Sequence, residues 1–138
     1  MLKKKLLLIS FITILITAIL HYLSIKLNWY FTFKQIDIIV HILGGFWIAI
    51  TAIWFCLEFK HIETIINYKT KYFIAILVYV LIIGVIWEIF ELISGNTFLH
   101  SSNFWTDSTS DMINNFLGGF IAYVYFIRMK NYKSETIK

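Results

Sequence analysis

The sequence predicts an all-α polytopic membrane protein, a single domain (residues 1–138) of four transmembrane helices. The helices are expected as two pseudo-symmetric hairpins, with the N- and C-termini cytoplasmic. Three observations predict this. Hydrophobic residues make up 59% of the chain and charged residues 14%, against about 25% charged in soluble domains; a soluble fold this small needs polar side chains to cover its surface. Four apolar stretches approach the roughly 20 residues that a helix needs to cross about 30 Å of hydrocarbon. Lys and Arg residues collect at alternate ends of those stretches. Pro is absent and there is one Cys, Cys56, which excludes disulfide frameworks and Cys-based zinc sites.

The first span, about 6–27, follows Lys3, Lys4 and Lys5. Its apolar run is longer than a signal-peptide core and no A-x-A-like cleavage site follows, so it is expected to stay as a span. The second (about 36–59) and third (about 72–93) are unbroken runs rich in Ile, Leu, Phe and Val. In lipid such runs fit helices, which satisfy all their backbone groups within one segment. The fourth is the shortest, with an apolar part from Met112 to Ile127. Asp107, Ser108 and Ser110 are good N-cap residues, which extends the span to about 108–127.

Three Lys precede the first span. The first loop holds two (Lys26, Lys34), the second three (Lys60, Lys69, Lys71), the third none, and four basic residues follow the fourth span. The positive-inside rule places both termini and the second loop in the cytoplasm, and the first and third loops outside. A multi-pass protein of the inner (cytoplasmic) cell membrane follows. The net charge of +4 is then a topology signal, and nucleic acid is not a partner. Trp29, Tyr30 and Trp105 fall at the outer interface and Trp54 near the inner one, as an aromatic belt.

Asp37 to Phe46 (DIIVHILGGF) aligns without gaps to Asp111 to Phe120 (DMINNFLGGF), with six of ten positions identical. Both segments run from outside to inside, which predicts two hairpins related by a pseudo-two-fold axis along the membrane normal. Gly44, Gly45, Gly118 and Gly119 read as helix-packing residues, because small residues let helices approach closely in lipid. A crossing of spans two and four at these glycines brings Asp37, His41, Asp111 and Asn115 near one another.

Ionisable residues inside spans usually face the bundle interior and mark function. At 1.5 Å per residue, His41 lies about 7 Å below the outer end of its span, Glu88 and Glu91 about 3 to 9 Å, and Asn115 about 6 Å. Spacings of three or four put Asp37 with His41, Glu88 with Glu91, and Asp107 with Asp111 and Asn115, each on one helix face. Gly84 shares the face of Glu88. Five of the eight acidic residues (Asp37, Glu88, Glu91, Asp107, Asp111) meet at one level, and the spans around them hold no Lys or Arg. Ionised carboxylates so placed repel one another, so some are protonated or a cation sits among them. The donors expected to ligate are Asp37, His41, Glu88, Glu91, Asp107, Asp111 and Asn115. They suit a divalent metal, Mg²⁺, Mn²⁺ or Ca²⁺, or Zn²⁺ if His21 and His41 both point inward. A proton or Na⁺ relay, and interhelical hydrogen bonding alone, remain open. Asp107 reads equally as a helix cap, His21 as a packing residue, and His100 as a further possible ligand or a solvated loop residue. His61, Glu58 and Glu63 read as residues of the cytoplasmic interface.

Three motifs carry a resemblance: Asp37-x-x-x-His41 with Gly44-Gly45-Phe46, Trp87-Glu88-x-x-Glu91, and Asp107-x-x-x-Asp111-Met112-x-x-Asn115 followed by Gly118. In this order they resemble the YjdF-type (DUF2238-like) family of small bacterial inner-membrane proteins over roughly residues 34–122. More distantly they are similar to the VanZ-like superfamily, which has an Asp and His in one span, Glu-x-x-Gln in another and Asp-x-x-x-Asn-x-x-Gly in the last. Ile38 stands where a Lys commonly follows the Asp, and Glu91 where Gln is usual; both make the site more acidic. The resemblance implies a membrane setting and supports the residue list, and VanZ-like proteins are associated with lowered susceptibility to lipoglycopeptide antibiotics. It implies no reaction.

The expected function is a metal-assisted site acting on a lipid head group or lipid-linked cell-envelope precursor in the outer leaflet, as a hydrolase or transferase. Glu88 or Glu91 would be its general base. Two alternatives stand beside it: a small ion- or lipid-binding transport component, and a non-catalytic subunit of a membrane complex. A homo-oligomer is compatible with each.

Overall fold

With no Pro to interrupt the hydrogen-bond ladder and long runs of Ile, Leu, Val and Phe, this chain favours helix along most of its length. The computed structural model describes residues 2–33, 35–58, 68–94 and 104–135. These form α1 (Leu2–Lys26), the single turn α2 (Trp29–Thr32), α3 (Gln35–Glu58), α4 (Tyr68–Ser94) and α5 (Phe104–Glu135). Hydroxyls inside the helices are satisfied locally. Thr13 donates to the Ile9 carbonyl oxygen at 2.8 Å, Thr17 to that of Thr13 at 2.8 Å, and Ser24 to that of Leu20 at 2.6 Å. Such back-bonding lets a polar residue sit in an apolar setting without a partner from another helix.

Asn28 turns the chain after α1. Its φ of 56° and ψ of 30° are left-handed, a conformation that a short polar side chain tolerates better than a branched one. α3 then runs back along α1, and two contacts fix the pairing: Ser10 Oγ lies 2.8 Å from Thr51 Oγ1, and Lys3 Nζ lies 3.1 Å from Glu58 Oε2 at the end of the hairpin. The ion pair is exposed at both partners and adds little; the hydroxyl pair lies between packed helices. Ser10→Ala is expected to lower stability in detergent by about 0.5–1.5 kcal/mol and Lys3→Ala by less. Thermal unfolding of the two variants checks the order, and a larger effect at Lys3 contradicts it.

α3 packs against α1, α4 and α5, most extensively against α5, while α4 lies against both α3 and α5. Among the described residues, the α1 backbone approaches neither α4 nor α5. α3 and α5 run in the same direction, α1 and α4 in the other. The apolar core gathers at the end that holds the start of α4 and the finish of α5. There Leu6, Ile50, Ile53, Ile76, Val80 and Phe126 are buried, and the Tyr72 ring meets Phe126 edge-on at 4.9 Å. Tyr123 donates to the Lys69 carbonyl oxygen at the same end, at 3.4 Å. The polar residues of the site occupy the opposite half.

Outward faces are apolar, with Phe11 64% exposed on α1 and Ile86 55% exposed on α4. Hydrocarbon accepts such faces at no cost, whereas water does not. Among the described residues, three helices are long and apolar enough to cross a membrane: α1, α3 and residues Lys69–Ile93 of α4. α5 is longer, at 32 residues, but Asp107, Asp111, Asn114 and Asn115 dilute its apolar content, and it falls outside that set. It also starts earlier than its cap signals suggest. Asp107 lies in the first turn, and Ser108 and Ser110 lie inside the helix, so none of the three caps it. The reason is electrostatic as well as local: an acidic side chain in a first turn complements the helix dipole without capping. His100, His61 and Glu63 lie outside the described residues.

Candidate functional site: a polar cluster above a glycine crossing

The site begins with backbone contact. A Cβ on Gly45 would overlap the Asn115 carbonyl group, and one on Gly118 would overlap the Ile42 carbonyl oxygen. These two glycines set how closely α3 and α5 approach. Their neighbours differ: a Cβ on Gly44 would lie 3.7 Å from Asn115 Oδ1, and one on Gly119 would lie 3.2 Å from Val80 Cγ2 of α4.

Because α3 and α5 are parallel and cross at the repeated Gly-Gly, repeat-related residues meet each other above the crossing. Donor oxygens of Asp37 and its counterpart Asp111 lie within 4.8 Å of each other, and His41 and its counterpart Asn115 line one cavity. The pairing is confined to α3 and α5: among the described residues α4 lies against both of them, whereas α1 lies against α3 and not α5, so the two hairpins expected from the repeat are not packed equivalently. His41 Nε2 lies 3.6 Å from Asp37 Oδ1 and 3.7 Å from Asp111 Oδ1. His41, Asp111 and Asn115 are 4%, 5% and 4% exposed, so these three are buried, while the Asp37 side chain is 35% exposed at the edge of the cluster.

α4 completes it. One donor atom each from Asp37, His41 and Asp111 lie mutually within 4.8 Å, and so do donors from His41, Glu88 and Glu91. His41 therefore belongs to both groups. Glu91 Oε1 accepts a hydrogen bond from Trp87 Nε1 at 2.9 Å. Among the described residues, Glu88 Oε1 is buried with no hydrogen-bond partner. A buried carboxylate oxygen without a donor is costly, and two carboxyl groups as close as those of Asp37 and Asp111 favour a proton or a cation shared between them. An imidazole nitrogen with several hard oxygens suits a divalent cation on both counts.

Other residues read from the sequence fall elsewhere. His21 joins neither group of donors; its Nδ1 lies 2.6 Å from the Tyr30 hydroxyl, and its ring meets Trp87 edge-on at 5.5 Å. Among the described residues the condition for Zn²⁺, both histidines turned to one site, is not met. Asp107 belongs to neither donor group either, because it sits a full turn above Asp111. Asn115 holds its side chain between Gly44 and Gly84, with Nδ2 3.5 Å from the Gly84 Cβ position.

Two participants are not evident from the sequence alone. Tyr30 reads as a belt residue but is 6% exposed, and burial together with the nearby Asp37, Glu91 and Asp111 carboxylates pushes its hydroxyl up, keeping it protonated against His21. Trp87 orients Glu91; the four-residue spacing on one helix face was the available signal. Beneath the cluster lies a cavity of about 260 Å³ bounded by α1, α3 and α4 and touched by Asn115 of α5.

Among known families, residues 2–132 match the model of one described as "Predicted membrane protein (DUF2238)". No curated protein and no solved structure matches the chain.

Proposed function

The chain belongs to the DUF2238 family of predicted membrane proteins, and on that premise we propose that its polar cluster is a divalent-cation site near the extracytoplasmic face. There it acts on a lipid head group or a lipid-linked cell-envelope substrate. The carrying observation is that His41 stands within reach of carboxylates from three helices whose spans contribute no Lys or Arg as counter-charge. α5 is the fourth span: Asp111 and Asn115 turn inward, while Ile113, Leu117, Phe120 and Ile121 are 61%, 47%, 54% and 46% exposed and form a lipid-facing stripe at helical spacing. With the basic residues at the opposite end, both termini are cytoplasmic and the cluster lies at outer head-group depth.

A bound divalent cation supplies polarisation of a phosphate or carbonyl oxygen. Asp37, His41 and Asp111 would hold it, with the Glu88 and Glu91 carboxylates within reach of the same His41, Asp107 adding negative charge one turn above and Asn115 positioning His41. Glu88 and Glu91 are the catalytic residues: one takes the proton of the attacking water, and Trp87 keeps Glu91 aimed at the site.

Elemental analysis of protein purified in detergent under metal-replete conditions tests this reading. Wild type is expected to retain about one divalent ion per chain, and Glu88→Gln and Asp111→Asn, each of which leaves one donor group intact, to retain less. Equal metal content in all three overturns it, leaving Asp37 and Asp111 as a proton- or Na⁺-binding pair suited to a small transport component. Topology has its own test. With Cys56→Ser as background, a His100→Cys protein is expected to react with an impermeant maleimide added outside the cell. Labelling only from the cytoplasmic side removes the outer-leaflet substrate.

A further inference from the structure

We propose that the cavity beneath the cluster is a slot for one acyl chain of a phospholipid, entered sideways from the bilayer between α1 and α4. The inference rests on the reading above, in which the cluster handles a lipid head group, and adds where the rest of that lipid goes. Three observations carry it. The slot lies between two helices whose backbones do not meet, with Ile14 and Ala18 of α1 on one side and Ile83 and Gly84 of α4 on the other. Its outer end is roofed by a chain of contacts, Tyr30 hydroxyl to His21, the His21 ring to the Trp87 ring, and Trp87 to Glu91. A ligand therefore arrives from the side, where the neighbours in a membrane are hydrocarbon chains.

The third observation is polarity along the slot. From Ile48 and Trp47 at its depth, the walls are apolar apart from Thr17, whose hydroxyl is spent on the Thr13 carbonyl oxygen, up to His21, His41 and Asn115, the last two of which belong to the cluster itself. The seven residues from Ile14 to His21 span about 10 Å. An occupant must thus have one apolar arm of modest width and a polar end at His41. At about 260 Å³ the slot has room for one unbranched acyl chain, and a phosphate head on that lipid would meet the cation of the cluster.

Photolabelling of the full chain in detergent, with phosphatidylglycerol carrying a diazirine on one acyl chain, tests the slot. Saturable labelling at one lipid per chain is expected on α1, α3 and α4 residues lining the slot, such as Thr17, Trp47 and Gly84. Ala18→Phe and Ile83→Trp are expected to reduce it about tenfold while leaving bound metal unchanged. Labelling that never saturates, that is confined to outward residues such as Phe11 and Ile86, or that neither variant reduces overturns the proposal. Displacement by farnesyl phosphate more readily than by unlabelled phosphatidylglycerol overturns the choice of an acyl chain. Saturable labelling of a wild type that binds no metal leaves the slot standing and removes the cation site. Should Ala18→Phe fail to fold, Ile83→Trp and the wild-type stoichiometry still decide.

Discussion

Gly45→Ala and Gly118→Ala are each expected to destabilise the protein by about 3 kcal/mol or to abolish folded yield, at the upper end of the roughly 1–3 kcal/mol typical of overpacking. The obstacle in each case is a backbone carbonyl of the facing helix, Asn115 for Gly45 and Ile42 for Gly118. A side-chain tip can rotate away, whereas these carbonyls move only if the two helices separate. Gly44→Ala has only an ordinary contact with Asn115 Oδ1 and should stay within about 0.5 kcal/mol of wild type. Gly119→Ala presses on the side chains of Val80 and Ile76 and should fall between. Thermal unfolding in detergent, with size-exclusion profiles for folded yield, reads all four. Equal losses at Gly44 and Gly45 would show that the crossing does not lie where the backbone contact places it.

The second large effect is on the site. His41→Ala is expected to weaken divalent-metal binding by about 100-fold or more, at or beyond the upper bound of what loss of a supporting group costs, because it removes the one donor that both groups share. Removing an acid from either group leaves the other group intact, so Glu88→Gln and Asp37→Asn should each retain weaker binding. His21→Ala breaks the contact with Tyr30 and should keep the wild-type metal content. Titration calorimetry with Mn²⁺ on the purified variants measures the series. A loss at His21 as large as that at His41 refutes the assignment.

Much of this was legible from residue type and spacing. The apolar runs place three helices to within a few residues, because in lipid nothing competes with intrahelical hydrogen bonding. The Gly-Gly repeat with its Asp seven residues upstream indicated which helices cross and which polar residues gather, since helical geometry carries a shared crossing point into shared neighbours. What did not transfer was which polar residue serves which partner. His21 has the same depth as His41, and only the turn at Asn28 and the one-turn α2 bring Tyr30 onto it. The start of α5 was misplaced because Asp107 favours a first turn as much as a cap. The slot was invisible to pattern, as it arises from two helices whose backbones stay apart, and spacing within one helix says nothing of gaps between helices.

The self-paired residues have a consequence for the chemistry open to this architecture. Two identical subunits meeting on a dyad must present the same residue from each side, so a histidine at this level would always face a second histidine. Joining the halves in one polypeptide lifts that constraint. The carboxylates on the axis stay matched as Asp37 and Asp111, while the next level is divided into an imidazole, His41, and an amide, Asn115. The amide accepts the role of a neutral companion, and the nitrogen donor faces one way. A cavity that would be bilaterally equivalent thereby acquires a front and a back, which is what a substrate with one head and one tail needs.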